Sequence, residues 1–250
     1  MCRHLAYAGP PASLRSLLLD PPSGLYTQSW APRMQEHGTV NADGFGIGWY
    51  ADGDPVPARY RRGIPIWGDP SLPGIARVTR SSAVLAAVRS ATPGTAQGET
   101  AAAPFAADTW LFSHNGVLEK WQEFQAPGGV RYADLEALTD SALLWALVLG
   151  RLRTGTAADI ALSATIADVE AAGGRGRFNF LLTDGRSIVA TAAGDTLWYR
   201  SAAGGVTVAS EPSDDEPGWT AVPDRHVVTA MPAMVDVRPL SALTEGVPAA

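Results

Sequence analysis

The sequence contains very little cysteine or lysine, and its apolar stretches are short. Cys2 is the only cysteine, Lys120 is the only lysine, and the longest apolar stretch covers residues 142–149. A single cysteine excludes an intrachain disulfide and a cysteine cluster for a metal, which favours a reducing, cytoplasmic compartment. A membrane-spanning helix needs roughly 20 apolar residues, so none is expected. The first residues also make a poor signal peptide.

Positive charge is scarce as well. The 19 basic residues are outnumbered by 25 acidic ones, which gives a net charge of -6 and a pI of about 5.2. This balance argues against nucleic acid or an anionic membrane as a partner, and a small-molecule substrate is expected instead. The glycine spacing at Gly44, Gly46 and Gly48 differs from the G-x-G-x-x-G dinucleotide motif, and we expect neither a cofactor nor a metal. The oligomeric state stays open, with a homo-oligomer among the alternatives.

The chain is long enough for one sizeable core, because 46% of its 250 residues are hydrophobic. Short alternating apolar segments predict strands, and Asp184-Gly185 predicts a hairpin turn. Helices are expected at residues 13–19, from Leu143 to the arginines before Gly155, and over residues 156–174. The predicted strands are residues 2–9, 45–50, 82–91, 108–116, 178–185, 187–201, 205–212, 225–231 and 234–240.

Three other segments have simpler interpretations. Residues 92–108 lack periodicity and are predicted to form a long loop, which is a common place for functional residues. The alternating glycines at 44–48 predict a strand with one smooth face, against which another segment packs closely. The acidic segment 210–219 is expected to be a solvated loop, with Glu211 as its one residue of interest.

Cys2 lies directly behind the initiator methionine, and this position has two interpretations. In the first, Cys2 is a small apolar residue of a terminal strand. In the second, Met1 is removed and Cys2 carries a thiol beside a free α-amine. A cysteine thiol ordinarily has a pKa of about 8.5 and an α-amine one of about 8, so the amine can take the thiol proton. This second interpretation predicts an N-terminal nucleophile.

Three further segments each allow a structural and a functional interpretation. Asn115-Gly116 follows a strand and so predicts a hairpin, but its side-chain amide and backbone N–H also suit an oxyanion hole. Arg89 ends a strand, either as a surface ion-pair partner or, with Thr92, as a clamp on a substrate carboxylate. Asp140 is either a helix N-cap or an acceptor for a substrate ammonium group.

Together and in this order, these residues resemble the glutaminase domains of class II glutamine amidotransferases, which are N-terminal nucleophile hydrolases. The resemblance rests on Cys2, on Arg-Ser-Ala-Thr at 89–92, on Ser-His-Asn-Gly-Val-Leu-Glu at 113–119, and on Thr-Asp at 139–140. It implies an α+β fold, the four-layer αββα sandwich of two antiparallel sheets flanked by helices. It also implies one domain over residues 2–250.

The resemblance further implies a role for each matched residue. Cys2 is the nucleophile with its α-amine as base, and Asn115 and Gly116 form the oxyanion hole. The carboxylate and ammonium groups of a γ-glutamyl substrate are held by separate residues. The substrate-binding residues implied are Arg89, Thr92, His114 and Asp140.

The segments at residues 1–10, 41–50, 179–185 and 209–219 most resemble a stand-alone branch of this family, the γ-glutamyl hercynylcysteine sulfoxide hydrolases of ergothioneine biosynthesis. That branch hydrolyses a γ-glutamyl amide, and its leaving group carries a trimethylammonium that aromatic faces attract. Trp30, His37 and Tyr50 are candidates for the leaving-group pocket. The chain departs from the synthase-linked domains at Arg3, where they have glycine, and at Ser90, where they have tryptophan.

Three alternatives remain open at this point. One is another γ-glutamyl peptide hydrolase, and a second is a glutaminase subunit that supplies ammonia to a separate synthase. The third is a catalytically dead binding module with the same fold, against which the retention of all the matched residues argues.

Overall fold

The computed structural model describes residues 2–92 and 94–244. Most of its strands belong to long antiparallel ladders, as the alternating apolar segments predict. The strands are β1 (Arg3–Ser13), β2 (Phe45–Trp49), β3 (Ala58–Arg62), β4 (Arg80–Val88), β5 (Phe105–Ala107), β6 (Trp110–Leu118), β7 (Gly176–Thr183), β8 (Ile188–Ala192), β9 (Trp198–Ala202), β10 (Gly205–Ala209), β11 (Thr220–Ala221), β12 (His226–Met231) and β13 (Met234–Pro239).

The strands form two sheets that face each other. Sheet A has the order β11-β9-β10-β1-β4-β2-β3, and sheet B has the order β13-β12-β8-β7-β6-β5. The helices are α1 (Leu14–Leu18), α2 (Leu25–Gln28), α3 (Leu72–Val78), α4 (Asp140–Arg153), α5 (Ala158–Ala171) and α6 (Ser241–Thr244). Helices α1 to α3 cover the outer face of sheet A, while α4 and α5 cover that of sheet B. This is the four-layer αββα sandwich implied by the resemblance.

Side-chain alternation along β1 and β6 determines which residues meet between the sheets. The side chains of His4 in β1 and Ser113 in β6 are joined across the gap, with 3.1 Å between Nδ1 and Oγ. Successive side chains of a strand point to opposite faces, so Cys2 and Asn115 share this inner face with His4 and Ser113. The ends of β1 and β6 therefore bring the cysteine and the asparagine together.

The predicted helices and hairpin are confirmed. Helix α1 lies within residues 13–19, α5 lies within 156–174, and β7 and β8 pair around the Asp184–Gly185 turn. Helix α4 begins at Asp140, and its N-cap is Thr139, whose hydroxyl accepts a hydrogen bond from the Ala142 N–H (3.0 Å). The assignment of Asp140 as the N-cap was therefore wrong by one residue, and its carboxylate is free for other contacts.

Two other sequence predictions have instructive outcomes. Asn115 and Gly116 lie inside β6, where they pair with Asn179 and Phe178, so the hairpin interpretation of this pair is wrong. The smooth strand face is confirmed, because a Cβ at Gly48 would lie 2.6 Å from Cδ1 of Leu111 in the opposite sheet.

In the described part of the chain, no helix is both long and apolar enough to cross a membrane.

Candidate active site

Cys2 lies at the open end of the gap between the two sheets. It precedes β1, a central strand of sheet A whose residue Arg3 pairs with Val88 of β4. The backbone nitrogen of Cys2 donates a hydrogen bond to Oδ1 of Asn115 (3.1 Å), which belongs to sheet B. The thiol is partly accessible. The structure thus brings together the two residues that the sequence singled out, although they lie 113 positions apart.

The side-chain amide of Asn115 has a hydrogen-bond partner at its oxygen but, among the described residues, none at its nitrogen. Its side chain is fully buried, and Oδ1 is held by the Cys2 nitrogen. Its Nδ2 has no hydrogen-bond partner among the described residues. A buried amide donor without a partner costs on the order of 1–3 kcal/mol, and such exceptions call for an explanation. A ligand oxygen beside Cys2 would supply the missing acceptor.

Gly116 is required by the local geometry. Its φ of +151° is one that residues with a side chain rarely adopt. A Cβ at this position would overlap the Arg177 carbonyl and lie 2.7 Å from Nε2 of His114. The backbone of Gly116 is therefore bare on this side, directly next to Asn115.

Arg89 follows β4 and is buried with uncharged partners. Its guanidinium donates to the Asp43 carbonyl (3.3 Å), to Oγ1 of Thr95 (2.9 Å) and to the Ala96 carbonyl (2.9 Å). These bonds use three of its five N–H groups. The Thr92 carbonyl accepts from the Thr95 hydroxyl (2.7 Å), which fixes the turn that faces Arg89. The surface ion-pair interpretation of Arg89 is wrong, since the side chain is buried and has no carboxylate partner among the residues that the structure describes.

Asp140 lies at the same end of the sandwich. Its Oδ2 accepts a hydrogen bond from the N–H of Leu118, the last residue of β6 (3.0 Å). Ala96, which holds Arg89 through its carbonyl, donates its N–H to the Leu138 carbonyl (2.9 Å), two residues before Asp140. The backbone of Ala96 therefore connects the Arg89 guanidinium with the segment that carries the Asp140 carboxylate.

His114 does not face the ligand side of the site. It lies between Ser113 and Asn115, so its ring points to the opposite face of sheet B, towards α4. Both ring nitrogens are engaged there, Nδ1 with Oγ of Ser141 (3.1 Å) and Nε2 with the Arg177 carbonyl (2.9 Å). The prediction that His114 binds substrate directly is therefore corrected, for the reason that strand side chains alternate.

His4 is a buried histidine that the sequence analysis did not single out. It faces inward, two residues after Cys2, and has no exposed surface. Burial, followed by the charges of Arg3 and His114, lowers the pKa of His4 to about 3. Burial also lowers the pKa of His114, against the opposing charge of Asp140. Both imidazoles are neutral near pH 7, and neither is a base strong enough for a thiol.

The three residues predicted for the leaving-group pocket lie apart from one another. Tyr50 is a core residue whose hydroxyl bonds the carbonyls of Thr109 (2.7 Å) and Thr183 (2.9 Å). The backbone N–H of Tyr50 donates to the carbonyl of Ala83 in β4. Ala83 lies five residues before Val88, the end of β4 that is next to Cys2, which is a distance of about 17 Å along the strand. The assignment of Tyr50 to the pocket is wrong, because its side chain fills the opposite end of the sandwich.

Trp30 lies on the helix side of sheet A. Its ring packs edge-to-face against Tyr26 (5.0 Å between centroids) and Trp67 (5.7 Å). Trp30 is thus the middle ring of an aromatic cluster, and 40% of it stays exposed. His37 is exposed on the loop that follows, where its carbonyl accepts from Nε2 of Gln35 (3.2 Å).

Buried charged residues hold that loop beside Cys2. Arg3 has no exposed surface, and its Nε donates to Oε1 of Gln35 (3.1 Å). Glu211 is also fully buried, and its carboxylate accepts the backbone N–H groups of Arg33 (2.9 Å) and Met34 (2.7 Å). The prediction of a solvated acidic loop is wrong at Glu211, which anchors residues 33–34 instead.

In sheet B, the buried side chain of Asn179 also holds a neighbouring segment in place. It pairs with Asn115 across the β6–β7 ladder and is fully buried. Its Nδ2 donates to the Asp195 carbonyl (2.7 Å), and its Oδ1 accepts from the Ala193 N–H (2.8 Å). The segment 193–195 is thereby held at a fixed place relative to Asn115. The only sequence signal for this residue is an asparagine inside the apolar strand segment "FNFLL".

The chain belongs to the class II glutamine amidotransferases, since the model of that family matches residues 24–215. It is 45% identical over 240 residues to the γ-glutamyl-hercynylcysteine sulfoxide hydrolase of Mycolicibacterium smegmatis, which covers 96% of this chain and 100% of that protein. It is 44% identical to the protein of the same name from Mycobacterium tuberculosis, over 91% of this chain and 92% of the relative.

Solved structures show the same fold. A glutamine aminotransferase class-II domain protein from Silicibacter pomeroyi aligns with a TM-score of 0.68 and 26% identity, covering 96% of this chain and 99% of that one. Glutamine phosphoribosylpyrophosphate amidotransferase from Bacillus subtilis aligns with a TM-score of 0.67 over 96% of this chain and 49% of its own. Its 15% identity supports the fold alone.

Proposed function

We propose that this protein is an amidohydrolase that cleaves γ-glutamyl hercynylcysteine sulfoxide to glutamate and hercynylcysteine sulfoxide. The contact between the Cys2 nitrogen and Asn115 Oδ1, which leaves Nδ2 of Asn115 unpartnered, carries the proposal. The two mycobacterial relatives support the choice of substrate. The reaction would take place in the cytoplasm, where the free thiol of Cys2 stays reduced.

In the proposed mechanism the mature protein begins at Cys2. The free α-amine takes the proton of the thiol, and the thiolate attacks the γ-carbonyl carbon of the substrate. The carbonyl oxygen becomes an oxyanion, which Nδ2 of Asn115 and the backbone N–H of Gly116 stabilise. The intermediate collapses to a γ-glutamyl thioester as the leaving nitrogen takes the proton back from the α-ammonium.

Water completes the reaction. The α-amine takes a proton from a water molecule, whose oxygen attacks the thioester carbonyl. The second tetrahedral intermediate releases glutamate and returns the cysteine thiol, so the enzyme ends in its starting state. The state of the two nearby histidines supports this choice of base, because His4 has a pKa of about 3 and both ring nitrogens of His114 are engaged.

The charged ends of the glutamyl group are assigned to two residues. Arg89, with two N–H groups that have no described partner, and the Thr92 hydroxyl would bind the α-carboxylate. Asp140 would bind the α-ammonium, because each carboxylate oxygen keeps a lone pair beyond its one backbone bond. The loop contact through Ala96 supports a shared pocket for both groups.

We infer the place of the leaving group from the strand order. Arg89 extends from β4, on one side of β1, so the glutamyl group would occupy that side of Cys2. Strands β10 and β9 lie on the other side of β1, within about 10 Å of it. A cavity of about 270 Å³ opens there between Met34, Asp195, Thr196 and Asp224. We assign the leaving group to this side in place of Tyr50.

The experiment compares glutamate release from three substrates at matched concentrations. The hercynylcysteine sulfoxide conjugate should exceed glutamine and glutathione in kcat/KM, and intact mass should show that the active population lacks Met1. The Cys2→Ala protein is the control and should release no glutamate. If glutamine is the best substrate, the function is instead that of a glutaminase which supplies ammonia to another chain.

A further inference from the structure

The ring of His114 is held in one orientation by two partners, and one of them, a backbone carbonyl, can only accept a hydrogen bond. The Arg177 carbonyl can only accept, so Nε2 of His114 carries the hydrogen and donates (2.9 Å). The neutral ring then presents Nδ1 as an acceptor, and the Ser141 hydroxyl donates to it (3.1 Å). His114 is almost fully buried, so water does not compete for these bonds.

Ser141 connects this ring to the carboxylate of Asp140. Its backbone N–H donates to Oδ1 of Asp140 (2.9 Å), while the N–H of Leu118 donates to Oδ2 (3.0 Å). Strand β6 therefore holds the start of α4 at two points, through Leu118 to Asp140 and through His114 to Ser141. Together these contacts fix both the position of the first helical turn and the rotation of the carboxylate.

We propose that His114 and Ser141 are positioning residues that orient the Asp140 carboxylate towards the α-ammonium of the substrate, and so set the selectivity for substrates with that group. The inference rests on the proposed function, which assigns the ammonium to Asp140. A binding group must be held within about 0.5 Å of its productive place by the contacts of its neighbours. His114 then acts on substrate selectivity without touching the substrate.

Gly116 belongs to the same arrangement. A Cβ at Gly116 would lie 2.7 Å from Nε2 of His114 and would overlap the Arg177 carbonyl, the two groups joined by the hydrogen bond. On one side the N–H of Gly116 belongs to the proposed oxyanion hole. On the other side the missing side chain leaves room for the hydrogen bond between His114 and the Arg177 carbonyl. The residues Ser-His-Asn-Gly at 113–116 accordingly support both the nucleophile end and the ammonium end of the site.

The test uses two chromogenic substrates with the same leaving group, γ-L-glutamyl p-nitroanilide and glutaryl p-nitroanilide, which lacks the α-amine. Ser141→Ala should lower kcat/KM for the glutamyl substrate about 5- to 10-fold, the loss expected for one hydrogen bond. The glutaryl rate should change less than about 2-fold, because that substrate makes no use of Asp140. Ser141→Thr keeps the hydroxyl and should restore the selectivity.

Ser71→Ala is a matched control, because Ser71 precedes helix α3 and its side chain makes no capping bond. It should leave both rates unchanged. His114→Asn, which retains an acceptor near the position of Nδ1, should lose less selectivity than His114→Phe. Equal losses on both substrates in Ser141→Ala, or no loss on either, would overturn the proposal.

A binding measurement separates this inference from the proposed function. In a Cys2→Ala background, calorimetry with L-glutamate and glutarate reports the ammonium contribution without any turnover. Ser141→Ala should weaken L-glutamate binding and leave glutarate binding as it was, even if the wild-type protein proves to hydrolyse neither anilide. A fall in affinity for both ligands would contradict the positioning role.

Discussion

At the scale of single residues, Asn115 links two steps of the proposed reaction. Its Oδ1 holds the nitrogen of Cys2, and this contact fixes the direction in which Nδ2 points. Nδ2 is buried and without a described partner, so a donor is already in place for an oxyanion before substrate arrives. Preorganised donors of this kind cost no rearrangement at the moment of reaction.

Asn115→Ala should therefore reduce kcat by about 10² to 10³, the usual effect of removing one oxyanion donor, while KM changes little. Steady-state kinetics on the hercynylcysteine sulfoxide conjugate measure both values. Thr165→Ala, which removes a buried hydroxyl bonded to the Ala161 carbonyl within α5 (2.7 Å), is a suitable control for general disturbance. A change confined to KM would assign Asn115 to ground-state binding.

The sequence predicted some of these residues and missed others, for physical reasons. Cys2 and Asn115 stand in motifs whose chemistry is local, so the pattern alone pointed to them. Arg3 and Glu211 were noted in the sequence, but their roles became apparent only through the pairing of β1 with β10, which brings together residues about 200 positions apart. Tyr50 was misplaced because an aromatic residue beside a glycine-rich strand gives no indication of which end of the sheet it occupies.

At the scale of elements, β6 has a backbone that tolerates little change at Gly116. The φ of +151° and the close Arg177 carbonyl both require glycine. By contrast, Gly150 lies within α4 with no atom near its missing side chain. Alanine substitutions at these two glycines can therefore be compared to test how tightly the geometry of β6 restricts Gly116.

Gly116→Ala should destabilise the protein by at least about 1–3 kcal/mol, because a strained φ and a backbone overlap both oppose the methyl group. Gly150→Ala should stabilise it by about 0.5–1 kcal/mol, since alanine favours the helix. Urea unfolding followed by circular dichroism gives both values. A Gly116→Ala protein as stable as the wild type would show that β6 adapts more easily than its geometry indicates.

The contact between β1 and β6 should make stability depend on pH. His4 has a pKa of about 3 in the folded protein, against about 6.5 for an ordinary histidine. Between these values the unfolded chain binds more protons, so the free energy of unfolding rises with pH. The stabilisation is complete above about pH 6.5 and is lost as the pH falls towards 3.

His4→Gln should reduce the slope of the free energy of unfolding against pH by up to about 1.4 kcal/mol per unit between pH 4 and 6. Some slope should remain, because the pKa of His114 is lowered too. Urea midpoints at several pH values measure it, with the exposed His37→Gln as control. An unchanged slope would mean that His4 accepts a proton in the folded state.

The sequence predicted elements best where a helical or alternating period was long. Helices α4 and α5 have 14 residues each and were found, whereas the four residues of α2 and the seven of α3 are too short for a period to show. Within the predicted loop at 92–108, β5 forms only because it adds three residues to the edge of β6. The sequence of β5 has no alternating pattern of its own, so the strand is recognised only through its pairing with β6.

At the scale of the whole molecule, the strand order divides the proposed site into two sides. The glutamyl side is built from the end of β4 and the start of α4, and its residues have readable motifs. The other side is built from loops that follow α2, β8 and β11, which come together only in the folded sandwich. This is why sequence motifs point to the residues of the proposed glutamyl side, whereas the proposed leaving-group side has no motif of its own and Tyr50 was assigned to it wrongly.

Glu211→Gln tests that division. The buried carboxylate accepts the N–H groups of Arg33 and Met34, so an amide in its place can satisfy only one of them and turns a donor towards the other. The loop that borders the leaving-group side should shift, while Arg89 and Asp140 keep their contacts. We therefore expect kcat/KM for the hercynylcysteine sulfoxide conjugate to fall about 10-fold, with γ-glutamyl p-nitroanilide affected less than about 3-fold. Glu216→Gln, at an exposed position of the same segment, should change neither rate. Equal losses on the two substrates would place the leaving group elsewhere.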